Sequence, residues 1–358
     1  MTDLLSQVRL MGLDLPNRVA MSAMTRTRGT DDGVPTDLMV SYYSQRAAAG
    51  LIVTESSEVS DQGHGAFRCP GIYRQDQIDG WRKVTDAVHA EGGHIVLQLG
   101  HCGRAAHPDM RGGELPVAPS AIPATGGFYL PTGRVKFPIP RALGLEEIAP
   151  IIADFAQAVR NAREAGFDGV ELHGANGYLP NQFLEEGSNQ RTDAYGGTIE
   201  NRARFMLETV DAMIDAWAAD RVGVRLSPSS TYNGMQVKGV SATYTHVVRE
   251  LDKRHLGYLC LLEPNDADLA LGVEIEHVAA AFRPMTTLPI ISNTGFTKTK
   301  GNDFIACGLA DMIAFGVPFL ANPDLVRRLS TDAPFNDPDP STFYGVGPKG
   351  YTDYPAAP

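Results

Sequence analysis

Eight short β-branched or apolar runs recur along the chain, each followed by a stretch of helical periodicity, and this alternation narrows the fold more than any other feature. The runs are Arg18 to Ala23, Leu51 to Glu55, His94 to Leu99, Gly169 to Leu172, Val222 to Leu226, Tyr258 to Leu262, Pro289 to Asn293 and Asp311 to Phe315. Among the helical stretches, Glu146 to Ala165 and Ile199 to Ala218 are the clearest, with apolar residues every three or four positions. Repeated strand-then-helix units predict a parallel sheet, and eight of them favour a closed α/β barrel, the (β/α)8 TIM barrel, over an open doubly wound sheet. No Gly-x-Gly-x-x-Gly turn follows the first strand to argue for a dinucleotide-binding domain. One barrel accommodates all 358 residues, so the expectation is a single domain over 1–358 with an N-terminal lid. The oversized connection after strand three, 100–145, is rich in Pro and Gly and is expected to cap the barrel mouth.

Composition removes several classes of partner. A formal charge of −11 disfavours nucleic acid, whose binding relies on clustered Lys and Arg to release counterions. No apolar run approaches a membrane span, and the chain's start lacks the basic-then-apolar layout of a signal peptide, which points to the cytoplasm. Cys69, Cys102, Cys260 and Cys307 lie far apart and form no C-x-x-C pair, so no zinc or iron–sulfur signature is present; they read as reduced and mostly buried filler. The expectation is therefore no metal.

A barrel builds its active site at the C-terminal ends of its strands, and polar chemistry collects there. Thr25 follows the first run, Ser56 the second, Gln98 and His101 mark the third, His173 and Asn176 the fourth, and Arg225 lies within the fifth. Glycine turns after strands seven and eight, at Thr294-Gly295-Phe296 and Gly316, sit where barrels frequently bind phosphate through backbone N–H groups, although a glycine there also serves as a plain turn. Buried Arg225 requires a partner: either a salt bridge to Glu171, or an anionic ligand beside a fixed positive charge.

Glu171-Leu172-His173-Gly174-Ala175-Asn176-Gly177-Tyr178 is the most informative segment. His173 and Asn176, three apart on a helical turn, would offer two hydrogen-bond donors to one acceptor, with Tyr178 beside them as a proton source. No third His or carboxylate completes a metal triad. One rival on this reading is a metal-independent barrel lyase or hydrolase using His173 and Tyr178. No lysine ends a strand to form a Schiff base, which counts against an aldolase.

The run from His173 through Leu184, then Ser188-Asn189-Gln190-Arg191-Thr192-Asp193 and Tyr195-Gly196-Gly197, resembles the Old Yellow Enzyme family of FMN-dependent ene-reductases, as do Leu15-Pro16-Asn17-Arg18, Met24-Thr25-Arg26, Ala321-Asn322-Pro323-Asp324-Leu325 and Gly350-Tyr351-Thr352-Asp353-Tyr354-Pro355. The resemblance implies non-covalent FMN, NADPH or NADH as reductant, and small α,β-unsaturated substrates; it decides neither the choice of nicotinamide nor the oligomeric state. It implies that Ala23, Met24, Thr25 and Ser56 border the flavin, with Thr25 bonded to O4. Gln98 would bind the pyrimidine edge and Arg225 lie by N1 and O2, where reduction places negative charge. Asn293, Gly295, Phe296, Gly316 and Val317 would surround the rest of the cofactor. His173 and Asn176 would grip the substrate's activating oxygen, and Tyr178 would protonate the α carbon; the alternative is a non-catalytic flavin-binding protein, which would keep Thr25, Gln98 and Arg225 but have no use for Tyr178.

Several positions depart from the family's usual pattern. Ala23 stands where proline is typical. Gly100 replaces a frequent tryptophan and Ala66, beside Phe67, a frequent tyrosine, which predicts a roomier pocket in which Tyr344 forms an important aromatic wall. Val317 takes the place of a phosphate-binding arginine, which predicts weaker retention of FMN.

Overall fold

In the computed structural model, which describes residues 2–130 and 133–357, eight parallel strands close on themselves. They are β1 (Val19–Met21), β2 (Leu51–Val53), β3 (Ile95–Gly100), β4 (Gly169–Gly174), β5 (Val222–Leu226), β6 (Tyr258–Leu262), β7 (Ile290–Asn293) and β8 (Met312–Phe315). Each pairs in parallel with the next in sequence, and the β8–β1 pairing closes the ring. The sequence reading of β5 and β6 coincides with the observed strands, whereas β1 and β2 end two residues earlier than their apolar runs. Both strands stop where the chain turns polar side chains into the mouth.

Helices cover the outside because their apolar stripes face the sheet. Helix Leu145–Glu164 buries Ile148, Ile151, Phe155 and Val159, and Ile199–Ala216 buries Phe205, Met206, Val210 and Met213. The Glu147 carboxylate accepts the Gly144 N–H at 2.7 Å and the Thr198 hydroxyl accepts the Asn201 N–H at 3.3 Å, so a side chain takes up one backbone donor at the start of each helix. Phe205 stacks on Phe183 with ring centroids 4.3 Å apart.

The barrel interior is a second apolar cluster that includes Ala20, Leu51, Val96, Ile291 and Met312. An antiparallel hairpin, Val8–Leu10 with Leu13–Leu15, contributes Leu10, Met11 and Leu15 to it. Met11 lies against Gly169 and Gly257, where β4 begins and just before β6. The N-terminal lid expected from the sequence therefore closes the end of the barrel opposite the strand C-termini. In the Pro-rich connection after β3, a two-stranded hairpin, Phe128–Leu130 with Gly133–Val135, is present; Pro131 and Thr132 lie outside the described residues. No helix among the described residues is long and apolar enough to cross a membrane.

Because Met11 is buried at one end and the polar residues gather at the other, Met11→Ala is expected to destabilise the fold by about 2–5 kcal/mol while leaving ligand affinity at the mouth unchanged. Denaturant unfolding together with a ligand titration measures both; loss of affinity alongside stability would show that the two ends are coupled.

Candidate active site

At the C-terminal ends of the strands lies a cavity of about 640 Å³, a size suited to a cofactor or small ligand. Its wall includes Ala23, Met24 and Thr25 after β1, Ser56 after β2, Ala66 and Phe67, Gln98 of β3, His173 of β4, Asn176, Tyr178, Val317 and Tyr344. The other residues singled out in the sequence stand off this wall. Gly100 backs onto Ser56, and a Cβ there would run into the Ser56 hydroxyl, so its lack of a side chain makes room for Ser56 and not for a ligand. Arg225, Asn293, Gly295, Phe296 and Gly316 do not line it; Arg225, Asn293 and Phe296 are buried and Gly295 is exposed.

His173 belongs to β4, which runs on to Gly174, and so it does not share a helical turn with Asn176. The spacing argument fails there because a histidine at the end of a buried strand has no apolar signature. Backbone geometry brings the pair together instead. Asn176 and Gly177 both adopt left-handed conformations, with φ of 57° and 71°, which reverses the chain directly after the strand. The Asn176 N–H donates to Ser227 Oγ at 2.7 Å, and Asn233 Nδ2 donates to the Asn176 carbonyl at 2.9 Å. Tyr178 then turns back onto His173, its ring centroid 4.6 Å away at 61°. The side chains of His173 and Asn176 make no hydrogen bond among the described residues, and His173 Nδ1 is buried without a partner. Unspent donors of this kind beside a cavity are what a ligand oxygen requires.

Burial and the nearby Arg225 charge hold the His173 imidazole at a pKa of about 3, so the ring is neutral at ordinary pH. Burial pushes the Tyr178 phenol well above its usual range, so that it keeps its proton. Arg225 does not pair with Glu171, one of the two partners the sequence left open. Its guanidinium donates to Asn293 Oδ1 at 2.9 Å and Ser22 Oγ at 3.2 Å and lies 3.7 Å from Cys260 Sγ. These partners are all uncharged, and they hold the cation in place without neutralising it.

The donor set fits a flavin. Gln98 offers both an acceptor and a donor to an imide edge, Thr25 and Ser56 offer hydroxyls, and Arg225 stands close by as a cation hydrogen-bonded to uncharged partners. Around the turn after β7, Thr294 and Gly295 are left-handed, Lys300 Nζ lies 3.4 Å from the Gly295 carbonyl, and Lys298 is committed to Asp332 at 2.6 Å. Cys69 and Cys260 are buried as expected, but Cys102 is half-buried and Cys307 is exposed.

Sequence reasoning missed part of the wall. Phe128 and Phe137 from the connection after β3, Tyr232 and Asn233 after β5, and Phe343 all face the cavity. The aromatic content of that connection and the left-handed turn at Asn233-Gly234 are the signals available for them. The C-terminal wall is strapped down by two buried arginines: Arg26 donates to the carbonyls of Phe343 (2.9 Å) and Gly350 (2.7 Å), and Arg28 to those of Thr342 (2.9 Å) and Lys349 (3.1 Å).

The model of the NADH:flavin oxidoreductase / NADH oxidase family matches residues 7–336. A probable flavin mononucleotide-dependent alkene reductase of Leishmania infantum is 42% identical over 355 residues, covering 96% of this chain and 94% of the relative. The 12-oxophytodienoate reductase 1 of Oryza sativa subsp. japonica is 42% identical over 357 residues, covering 98% and 92%. Among solved structures, morphinone reductase superposes with a TM-score of 0.94 at 42% identity, covering 99% of this chain and 96% of that one.

The neutral state of His173 has a measurable consequence. A histidine whose folded pKa lies below its unfolded value is protonated first in the unfolded chain, so its contribution to stability is lost as pH falls from about 6.5 toward about 3. Glu55 and Glu185, raised by burial to about 7, act in the opposite sense above about 4.5. Below that, His173→Asn should flatten the acid slope of unfolding free energy by about 1.4 kcal/mol per pH unit. Denaturant titrations between pH 4.5 and 3.5 test this; identical slopes would mean that the folded protein already carries the proton.

Proposed function

The chain belongs to the NADH:flavin oxidoreductase / NADH oxidase family, that of Old Yellow Enzyme, and from that premise we propose how its cavity performs ene reduction. It is an FMN-dependent oxidoreductase that reduces activated carbon–carbon double bonds with electrons from NAD(P)H. When bound and reduced, the flavin supplies a hydride to the β carbon. The remaining work falls to side chains.

The observation that carries the reading is the convergence of three unspent polar groups, on His173, Asn176 and Tyr178, upon one cavity that also holds Gln98 and Thr25. In this reading the neutral His173 ring and the Asn176 amide donate to the substrate's carbonyl or nitro oxygen and stabilise the charge that develops there. Tyr178 retains its proton until the α carbon requires it. Arg225, held by Asn293 and Ser22, balances negative charge on the reduced cofactor's pyrimidine side, while Gln98 and Thr25 orient its edge. The segment 100–145 serves as a cap, a role supported by Phe128, Leu130 and Phe137 on the cavity wall. Tyr344, 65% exposed, closes the other side with Phe343. A cytoplasmic place fits four cysteines that form no disulfide.

The rival lyase or hydrolase would need a base near Tyr178. His173, with a pKa of about 3, is too weakly basic for that task at neutral pH.

Tyr178→Phe should leave flavin reduction by the nicotinamide nearly unchanged and slow single-turnover reduction of cyclohexenone by about 10² to 10⁴. Stopped-flow measurement of the two half-reactions separates these effects; an unaltered enone step would remove Tyr178 as the proton donor.

Val317, 42% exposed on the cavity wall, carries no charge for the cofactor phosphate. Introducing one through Val317→Arg should tighten FMN by about tenfold or more, since a charge-assisted hydrogen bond contributes about 1.5–3 kcal/mol. Fluorescence titration at one ionic strength reads the change, and equal dissociation constants would indicate that Lys300 already fills that role.

A further inference from the structure

Beneath the cavity, the barrel interior carries a polar layer in which one carboxylate has no role in the reading above. Glu171 of β4 and Gln98 of β3 are register partners in the parallel ladder, and both are buried. Gln98 Nε2 donates to Glu171 Oε1 at 2.7 Å. A carboxylate accepts and cannot donate, so it orders an ambiguous group: the amide nitrogen must face Glu171, and Oε1 must face away. Gln98 lies on the cavity wall, and its Oε1 accepts no hydrogen bond among the described residues.

The neighbouring strands are shaped around the same carboxylate. Tyr258 of β6 pairs with Gly223 of β5, and a Cβ at position 223 would run into the Tyr258 ring, so the missing side chain lets the phenol cross toward Glu171. Burial pushes the Glu171 carboxyl up while the Arg225 charge draws it down. An ionisable group at this depth is costly to retain, and the barrel surrounds it with an amide, a phenol and a guanidinium.

We propose that Glu171 is a positioning residue that fixes the orientation of the Gln98 amide, so that Oε1 and the second N–H together meet the imide edge of the flavin. The proposal rests on the reading that Gln98 faces that edge. Glu171→Gln keeps the shape but introduces an N–H that can donate to Gln98 Oε1, which turns the amide around. Glu171→Asp keeps the charge but withdraws it by one methylene, so the contact is lost by another route.

The test is equilibrium exchange of the holoenzyme's FMN against N3-methyl-FMN, which lacks the imide N–H, in wild type, Glu171→Gln, Glu171→Asp, Gln98→Met and the Glu171→Gln/Gln98→Met double variant. Thermal melting establishes that each variant folds. Both Glu171 variants should lower the preference for FMN over its methylated analogue by about tenfold, the equivalent of one lost hydrogen bond. In the Gln98→Met background, Glu171→Gln should change that preference by less than about twofold, because the two residues act through one contact. Equal weakening of both flavins, or additive effects in the double variant, would overturn the proposal by showing that Glu171 only supports the fold. If Gln98→Met itself left the preference intact, the reading of Gln98 would fail first and the proposal with it.

Discussion

Everything at the mouth depends on the parallel register of the eight strands. Parallel pairing sets Glu171 opposite Gln98 and His173 opposite Arg225, and it sends every strand's C-terminal end to one side of the molecule. A slip of one residue in β4 would exchange His173 for Leu172 on the inner face and leave an imidazole among the outer helices. The register is protected by apolar residues that alternate with the polar ones, since Val170, Leu172, Val222 and Val224 are all fully buried. Chemistry and packing are thus written on alternate positions of the same strands.

The electrostatic design follows from that burial. Arg225 is held by neutral acceptors, His173 is kept unprotonated, and Tyr178 is kept protonated, so this edge of the mouth presents a positive charge that no direct ion pair among the described residues takes up. In a dry site such a charge acts strongly on a developing anion and requires no rearrangement when that anion forms. A salt bridge between Arg225 and Glu171 would have cancelled it. Directing Glu171 to Gln98 instead leaves the cation available.

How much of this was legible in the sequence depends on how local each signal is. The Val222–Leu226 and Tyr258–Leu262 strands were readable to the residue because short β-branched or apolar runs mark buried strands, even where one of them carries Arg225. The polar residues that end the strands were readable because the barrel dictates where they must go. The partners of Arg225 were not, since Ser22 and Asn293 lie 203 and 68 residues away in the chain and no periodicity links them. Phe128, Phe137 and Tyr232 were missed for the same reason: their place on the wall comes from how long connections fold back over the mouth. His173 was assigned to a helical turn because i, i+3 spacing looks the same in a helix and in a strand that ends in a left-handed reversal.

The two ends of the barrel are held together by different kinds of bond. The floor consists of short strands locked by backbone pairing, with a plug that contains Met11 at the far end. The walls consist of segments tied down by side-chain bonds to backbone carbonyls, as Arg26 and Arg28 do for the chain carrying Phe343 and Tyr344. Bonds of that kind fix the path of a loop through its backbone and leave the choice of side chains on it to other contacts. The groups that meet the reacting atoms are placed differently, because each is set by a strand end or by a left-handed turn directly after one. On this architecture the strand ends set the type of reaction, and substrate choice rests with the strapped walls.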